Sequence, residues 1–345
     1  MKIFIFQILL LLGLSIEAQN DSLDSEVCNL NKCFCNNDLT PAGVMISHVH
    51  DKNEWMMSYR FMQMNMNGNQ MGIKNIDTKT ILKEYTSAPQ IMQMNMHMLM
   101  LMFGLNDKIT IMGMMDYNSN YMEMQMKMGD LVHPHSMKTA GIGDTKINAL
   151  YAVIKNESSQ LILSTGINLP TGAYNLKGSA LDMMYPSSRL PYNMQLGKGT
   201  FDFLPGLTYM HKKNKFVISS QLNSTVRFIN NRLAYRYGND FNLNTWCAYN
   251  WLPFISNSIR IEGIQSAIIK SSDQSLNKLS EPGSNSINYG GHYLNMYLGT
   301  VIQFKKSTLN KFRVSVEYGL PVYQNVNGIQ MTTKNSLIIN TTLTF

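Results

Sequence analysis

Methionines at every second position form runs that could present soft metal ligands. The chain has 28 methionines in 345 residues, and 21 of them lie between Met45 and Met137. In an extended strand, side chains two positions apart point to the same face, so each run would form a ladder of thioethers. Thioethers suit Cu(I), and by the same softness Ag(I), far better than Mg²⁺, Ca²⁺ or Mn²⁺. The candidate ligands are Met62, Met64, Met66, Met92, Met94, Met96, Met98, Met112 and Met114.

The residues between the methionines indicate which face of each strand they occupy. Met62 and Met64 share their parity with Ser58 and Arg60, whereas Tyr59 and other aromatic residues have the opposite parity. Aromatic and apolar side chains on one parity are typical of a lipid-facing surface, so the methionines are predicted to point into the lumen of a barrel. Methionine is also a common filler of irregular apolar space. An apolar lining for organic molecules and a lipid-facing position therefore remain alternatives.

A cluster of cysteines and histidines before the first predicted strand supplies further candidate ligands. Thiolates and imidazoles bind soft and borderline metals. Three clustered cysteines in an oxidising compartment also fit one disulfide and a spare thiol, and both interpretations stay open. One more histidine interrupts the second methionine run. These residues are Cys28, Cys33, Cys35, His48, His50 and His97.

Charged residues also fall on the inward parity of the predicted strands. Buried charges are normally paired, so we expect ion pairs that stabilise the interior and that could close or polarise a channel. The residues concerned are Arg60, Lys146, Asp202, Arg227, Glu262, Arg313 and Glu317.

Alternation of apolar and polar residues predicts the strands that position these groups. Phe312, Val314 and Val316, for example, alternate with Arg313 and Ser315, which is the period of a strand with one apolar face. The pattern predicts an all-β chain that forms an antiparallel transmembrane β-barrel of about 12 strands. The predicted strands cover residues 54–66, 91–103, 108–117, 142–154, 160–169, 199–211, 215–228, 241–251, 258–270, 291–304, 312–323 and 335–345.

The lengths of the connections favour a membrane barrel over a soluble sandwich. Short connections such as Gly104–Lys108 and Lys155–Ser159 alternate with long ones, which include 67–90, 118–141, 170–198 and 324–334. Short periplasmic turns and long outer loops are typical of outer-membrane barrels. A soluble sandwich would have shorter strands and a more charged surface. Phe345 ends the last strand, and such a terminal aromatic residue resembles the signal read by the outer-membrane assembly machinery.

Composition is consistent with an exported barrel and argues against a disordered chain or a nucleic-acid-binding protein. Charged residues are 15% of the chain, against roughly 25% in ordinary globular proteins, and the 44% of hydrophobic residues argues against disorder. The 29 basic residues face 22 acidic ones without a basic run, so nucleic acid is not an expected partner. We interpret residues 1–18 as a cleaved signal peptide, 19–53 as a periplasmic, plug-like segment with the cysteines and histidines, and 54–345 as the barrel.

Four phrases at strand ends resemble the outer-membrane barrels named after the meta-pathway of phenol degradation. They are Gly104–Thr110, Gly141–Lys146, Ile167–Gly172 and Pro321–Gly328. The resemblance implies a barrel with transport character, similar to channels for hydrophobic compounds, and without catalytic residues. Residues 28–137 depart from that pattern, and there the chain is loosely similar to copper-resistance outer-membrane barrels.

The leading hypothesis from these patterns is an outer-membrane channel that handles Cu(I) or Ag(I) through a methionine-lined lumen, with no required cofactor. Expected partners are outer-membrane lipid, the assembly machinery and a periplasmic metal carrier. The alternatives are a channel for small hydrophobic or aromatic compounds and a structural barrel without transport. No enzyme is expected, because the sequence has no phosphate-binding loop or zinc-protease pair, and neither His211 nor His292 has a convincing serine partner.

Overall fold

Antiparallel strands form a closed sheet in the computed structural model, which describes residues 39–178, 188–304 and 312–345. One short helix, α1, covers Thr78–Glu84, and single 3₁₀ turns cover Tyr192–Met194 and Pro282–Ser284. The strands are β1 (Trp55–Gly72), β2 (Lys74–Ile76), β3 (Ser87–Asn106), β4 (Ile109–Met128), β5 (Leu131–Ile142), β6 (Thr145–Lys155), β7 (Ser159–Leu169), β8 (Asp202–Phe203), β9 (Gly206–Lys213), β10 (Phe216–Arg227), β11 (Asp240–Leu252), β12 (Ile255–Ser266), β13 (Gly291–Gln303) and β14 (Phe312–Thr344).

The barrel closes through the pairing of β14 with β1. Around the wall the order is β1, β3, β4, β6, β7, β9, β10, β11, β12, β13 and β14, while β2, β5 and β8 pair at its margins. The 33 residues of β14 pair with β13 in their first half and with β1 in their second. The two halves also touch, since Ser315 Oγ donates to the carbonyl of Asn340 at 3.4 Å. The wall therefore has twelve crossing segments, which confirms the predicted all-β antiparallel barrel.

The reversal inside β14 requires a glycine. Gly328 has φ +61°, a left-handed backbone conformation that residues other than glycine rarely adopt. A Cβ at this position would also overlap Asn288 Oδ1 of the connection between β12 and β13. The predicted long loop at residues 324–334 is thus a tight turn between two strand segments.

Alternation places one parity outside and the other inside the barrel. Trp55 and Tyr59 are 43% and 42% exposed, whereas Met56 and Ser58 are 3% and 2% exposed. The exposed parity of the wall carries mostly apolar and aromatic side chains, as expected of a lipid-facing band. Among the described residues, no helix is both long and apolar enough to cross a membrane.

Two connections that were predicted to be long loops consist largely of regular secondary structure. Residues 118–141 form the second half of β4 and all but the last residue of β5, and the two strands pair from Tyr117 with Ile142 to Met128 with Leu131. The connection at 67–90 is likewise occupied by the ends of β1 and β3 with β2 and α1 between them. The methionine alternation simply continues beyond the barrel wall, because its inward side chains pack against residues 190–194.

Residues 39–54 lie inside the barrel, at the end where the short turns are. Val49 packs on methionines of β1, β3 and β4, while Leu39 and Val44 pack on Met210 of β9 and Trp246 of β11. Partners on strands from all around the wall place this segment in the lumen. The short turns of outer-membrane barrels face the periplasm, so the segment lies in the half of the lumen that we expect to be periplasmic.

Candidate functional site: a methionine-lined cavity

A cavity of about 350 Å³ occupies the outer half of the lumen. Its wall comprises the inward faces of β1, β3, β12, β13 and β14, and its roof comes from the two 3₁₀ turns and the residues that follow Pro282–Ser284. Thioether, aromatic and aliphatic groups dominate the lining, with several side-chain amides among them. The lining residues are Met64, Met66, Asn69, Pro89, Met92, Met94, Asn193, Ile264, Ser266, Pro282, Gly283, Asn288, Tyr289, Tyr293, Asn295, Tyr297, Leu320, Pro321, Gln324, Ile329, Gln330, Met331, Thr333 and Ser336.

Strand register brings methionines of β1, β3 and β4 directly opposite one another. In the outer part of the wall, Met66 faces Met92, and Met92 faces Met122. Closer to the periplasm, Met100 faces Met114. The other directly opposed pairs are Met62 with Met96, Met64 with Met94, Met56 with Met102, and Met102 with Met112.

The predicted methionine ligands divide into two separate groups. The outer group borders the cavity and packs around Met92, Met122 and Met194. The inner group includes Met98, Met112 and Met114 and is covered by Val49 of the segment in the lumen. Met62 lies between the two groups, against Ala42 and Tyr297. Among the described residues, the outer group therefore borders the 350 Å³ cavity, whereas the inner group is largely covered by protein.

The histidines occupy three different environments. His97 lies on the outer face of the wall, where Tyr59 Oη is 2.7 Å from its Nδ1 and Phe61 packs beside it. The prediction that His97 joins the methionine site is wrong, because its odd position in β3 points away from the lumen. His48 and His50 are buried, with ring centroids 4.8 Å apart.

These two buried histidines have neighbours of their own. His50 Nδ1 lies 3.0 Å from Glu54 Oε2, and His48 borders a small void of about 20 Å³ together with Met100 and Met102. Within the described ranges, no three His, Cys, Asp or Glu side chains are grouped so that they could hold a metal. The predicted signal peptide at 1–18 lies outside the described residues, as do Cys28, Cys33 and Cys35.

A buried charge network separates the cavity from the segment at 39–54. Arg260 Nε lies 3.0 Å from Glu317 Oε1, and Arg260 Nη1 lies 3.5 Å from Glu262 Oε1. The Arg260 guanidinium also stacks over Tyr297, 3.7 Å from the ring centroid. The backbone N–H of Gly43 donates to Glu317 Oε2. This hydrogen bond therefore links the segment to the Arg260–Glu317 ion pair of the wall strands.

The other predicted interior charges also find places on the lumen side. Arg60 Nη2 donates to the Val44 carbonyl at 2.9 Å, and Arg313 borders the small void with His48. Lys146 Nζ lies 3.6 Å from Asp116 Oδ2. At the outer rim, Arg227 pairs with Asp202 at 3.3 Å and Asp240 at 2.8 Å.

The roof of the cavity contains buried titratable groups outside the membrane span. Burial raises the pKa of Glu281 to about 8, and its Oε2 has no hydrogen-bond partner among the described residues. Tyr289 lies beside Tyr192, with ring centroids 5.7 Å apart, and donates to the Gly283 carbonyl at 2.7 Å. Burial, with Arg227 as a smaller cause, lowers the pKa of the nearby Lys198 to about 8. The roof is therefore closely packed, and burial there disfavours the charged forms of Glu281 and Lys198.

Residues 102–277, about half of the chain, match the family described as "Putative MetA-pathway of phenol degradation". The chain belongs to this family. The matched residues begin near the end of β3, so β1 and most of the methionine-rich β3 precede them. No curated protein matches the sequence.

Solved structures similar to this family member are outer-membrane barrels. An outer membrane channel from Pseudomonas putida F1 is 12% identical, covers 87% of this chain and 98% of its own, and has a TM-score of 0.59. A Pseudomonas aeruginosa FadL homologue (9% identity, 86% and 90% coverage, TM-score 0.42) and the Pseudomonas putida toluene transporter TodX (8%, 86% and 89%, TM-score 0.40) are more distant. The likeness to the Pseudomonas putida F1 channel shows a shared barrel fold. The closed sheet with an apolar and aromatic outer face is that of an outer-membrane protein.

A serine–histidine contact between two strands of the barrel was not predicted from the sequence. Ser159 Oγ lies 2.9 Å from His211 Nδ1, where β7 and β9 reach the periplasmic end. The expectation that His211 lacks a serine partner is therefore wrong, because antiparallel pairing joins residues 52 positions apart. No carboxylate hydrogen-bonds to His211 in the described ranges, so the third group of a catalytic triad is missing there.

Arg260 and Asn193 are the important site residues that the sequence analysis missed. Arg260 alternates with Ile259 and Ile261, so the parity rule that selected Glu262 would also have found it. Asn193 lies in an irregular connection without periodicity, and only the folded chain brings it to Met92.

Proposed function

We propose that this barrel takes small hydrophobic compounds from the outer face into the methionine-lined cavity. The observation that carries the proposal is the cavity itself, with about 350 Å³ of space and a largely apolar and aromatic lining. That volume lies in the range of roughly 300–1,000 Å³ usual for small-molecule sites. The family description, which names phenol degradation, supports an aromatic compound as the ligand.

The lining residues suit an apolar guest of variable shape. Methionine is unbranched, and its polarizable thioether adapts to irregular partners and contacts aromatic rings favourably. Several polar groups at the cavity are already engaged within the protein: Tyr297 Oη donates to Glu262 at 2.8 Å, and Tyr293 Oη lies 3.0 Å from Gln330 Oε1. A hydrophobic ligand could therefore bind without breaking these hydrogen bonds.

Passage to the periplasm requires a second step. Below the cavity, the Arg260–Glu317 pair and residues 39–54 fill the lumen. Thr208 Oγ1 and Gln221 Nε2 both bind the Ile46 carbonyl, at 3.1 and 3.0 Å. We infer that the compound first binds in the cavity and that residues 39–54 must shift before it leaves toward the periplasm.

The test is binding of 1-naphthol to the full chain in lipid nanodiscs, with empty nanodiscs to subtract partition into lipid. Met94→Trp is expected to fill part of the cavity and to raise the Kd at least tenfold, which is about 1.4 kcal/mol. Met115→Trp is the size-matched control, because Met115 is 44% exposed on the outer face. Equal 1-naphthol binding by both variants and the unmodified protein would exclude the cavity as the site.

A further inference from the structure

We propose that the outer methionine row binds a soft monovalent cation, Cu(I) or Ag(I). The row runs across four adjacent strands, because Met66 faces Met92, Met92 faces Met122, and Met122 faces Met137. Opposed side chains on neighbouring strands have Cβ atoms about 4.5–5.5 Å apart. Sulfur atoms from adjacent strands can therefore approach one ion together. This proposal does not depend on uptake of hydrophobic compounds.

Two sulfurs of the row already converge on a single donor. Asn193 Nδ2 lies 3.9 Å from Met92 Sδ and 3.9 Å from Met122 Sδ. Both thioethers thus direct electron density toward one electropositive group. A soft cation at this place would take up the same lone pairs that the amide N–H groups now occupy.

The amide of Asn193 can accommodate such an ion. Its Oδ1 is buried and has no hydrogen-bond partner among the described residues. A half-turn of the amide would direct this oxygen toward the two sulfurs and move the N–H groups away. The cation would then meet two thioethers and a carbonyl dipole, all of them neutral.

The cavity gives an ion access to the row. Met66, Met92 and Asn193 all line it, and the neighbouring pair Met64 and Met94 lies on the same wall. Residues two apart on a strand are separated by about 6.6 Å, so the second pair lies within one short step of the first. Several weak sites in sequence allow an ion to move on rather than remain bound.

The ligand set selects for softness and not for charge. Thioethers have no proton to lose, so binding here is expected to be nearly independent of pH, unlike binding to thiolates or imidazoles. Hard divalent ions prefer oxygen ligands, and the described residues contain no cluster of three carboxylate, imidazole or thiol groups. Ag(I) is therefore expected to bind, and Mg²⁺ or Ca²⁺ is not.

The test uses the full chain with selenomethionine, loaded with Ag(I), and silver-edge X-ray absorption. Selenium scattering near silver arises only from methionine positions, so cysteine-bound silver is distinguished from it. The double variant Met92→Leu, Met122→Leu conserves side-chain volume and removes the central pair. Met100→Leu, Met114→Leu is the matched control, because these two methionines are also directly opposed but lie in the inner group under Val49.

We expect silver–selenium scattering in the unmodified chain and in the control, and at least a twofold loss in the Met92, Met122 variant. Absence of selenium around silver, or equal scattering in both double variants, would overturn the proposal. Binding of 1-naphthol is measured on the same variants. Because leucine keeps the lining apolar, that binding is expected to persist, so failure of the metal site and failure of the hydrophobic site give different results.

Discussion

Replacing Gly43 with alanine is expected to release residues 39–54 from the lumen. The backbone N–H of Gly43 donates to Glu317 Oε2. An added Cβ would overlap the Arg260 guanidinium and lie 2.8 Å from that carboxylate oxygen. One of the two partners must therefore move.

The segment, and not the ion pair, is expected to yield. Arg260 and Glu317 are 1% and 0% exposed and hold each other at 3.0 Å, and breaking such a buried pair costs about 3–5 kcal/mol. Losing the bond from Gly43 to a charged group costs about 1.5–3 kcal/mol. Because losing the Gly43 hydrogen bond costs less than breaking the ion pair, the segment is expected to move. The population with a displaced segment is then expected to rise by roughly 10- to 150-fold.

The assay is single-channel recording in planar bilayers, with cleavage of residues 39–54 by added protease as a second readout. Gly113→Ala is the matched control, since Gly113 lies in a strand of the wall and a Cβ there meets no atom within 4 Å. Gly43→Ala is expected to show longer open times and faster cleavage. Recordings and cleavage equal to those of Gly113→Ala would show that the contact at Gly43 does not hold the segment in the lumen.

Two further perturbations test the packing and the roof. Met112 is fully buried, so Met112→Ala is expected to lower the free energy of unfolding by about 2–5 kcal/mol and Met112→Leu by less than about 1.5 kcal/mol. Urea titration of the refolded barrel measures both values. Similar values for the two variants would contradict close packing of the inner group. Burial favours the neutral form of Glu281 and raises its pKa from 4.5 to about 8. The contribution of the neutral side chain to the stability of the roof is therefore complete below pH 4.5. It is lost as the pH rises to 8, and the loss is on the order of 5 kcal/mol. Protease protection of residues 267–290 is expected to fall over that range in the unmodified chain, and Glu281→Gln is expected to abolish the dependence; an unchanged dependence in Glu281→Gln would assign it to another group.

The strands could be predicted because their environment imposes a period on the sequence. A strand with lipid on one side and the lumen on the other alternates, and this rule located every crossing segment, including both halves of β14. The same parity places Met92 and Met122 inside. His97 follows it too, and its misassignment came from weighing its chemistry above its position.

The interior could not be predicted, because it depends on segments without a period. Residues 39–54 and 188–196 are irregular, and their places are determined by contacts with many strands at once. The predicted loop at 118–141 shows the opposite error. There the alternation from Met122 to Met128 already indicated a strand, but the segment was assigned to a long outer loop.

A crystal structure of the full chain with a brominated phenol would show whether the methionine-lined cavity binds an aromatic compound. Bromine is located by its anomalous scattering without reference to the protein. We expect a bromine peak inside the cavity, between Met94 of β3 and Tyr297 of β13. Bromine found only on the lipid-facing surface, with an unfilled cavity in the same crystals, would contradict it.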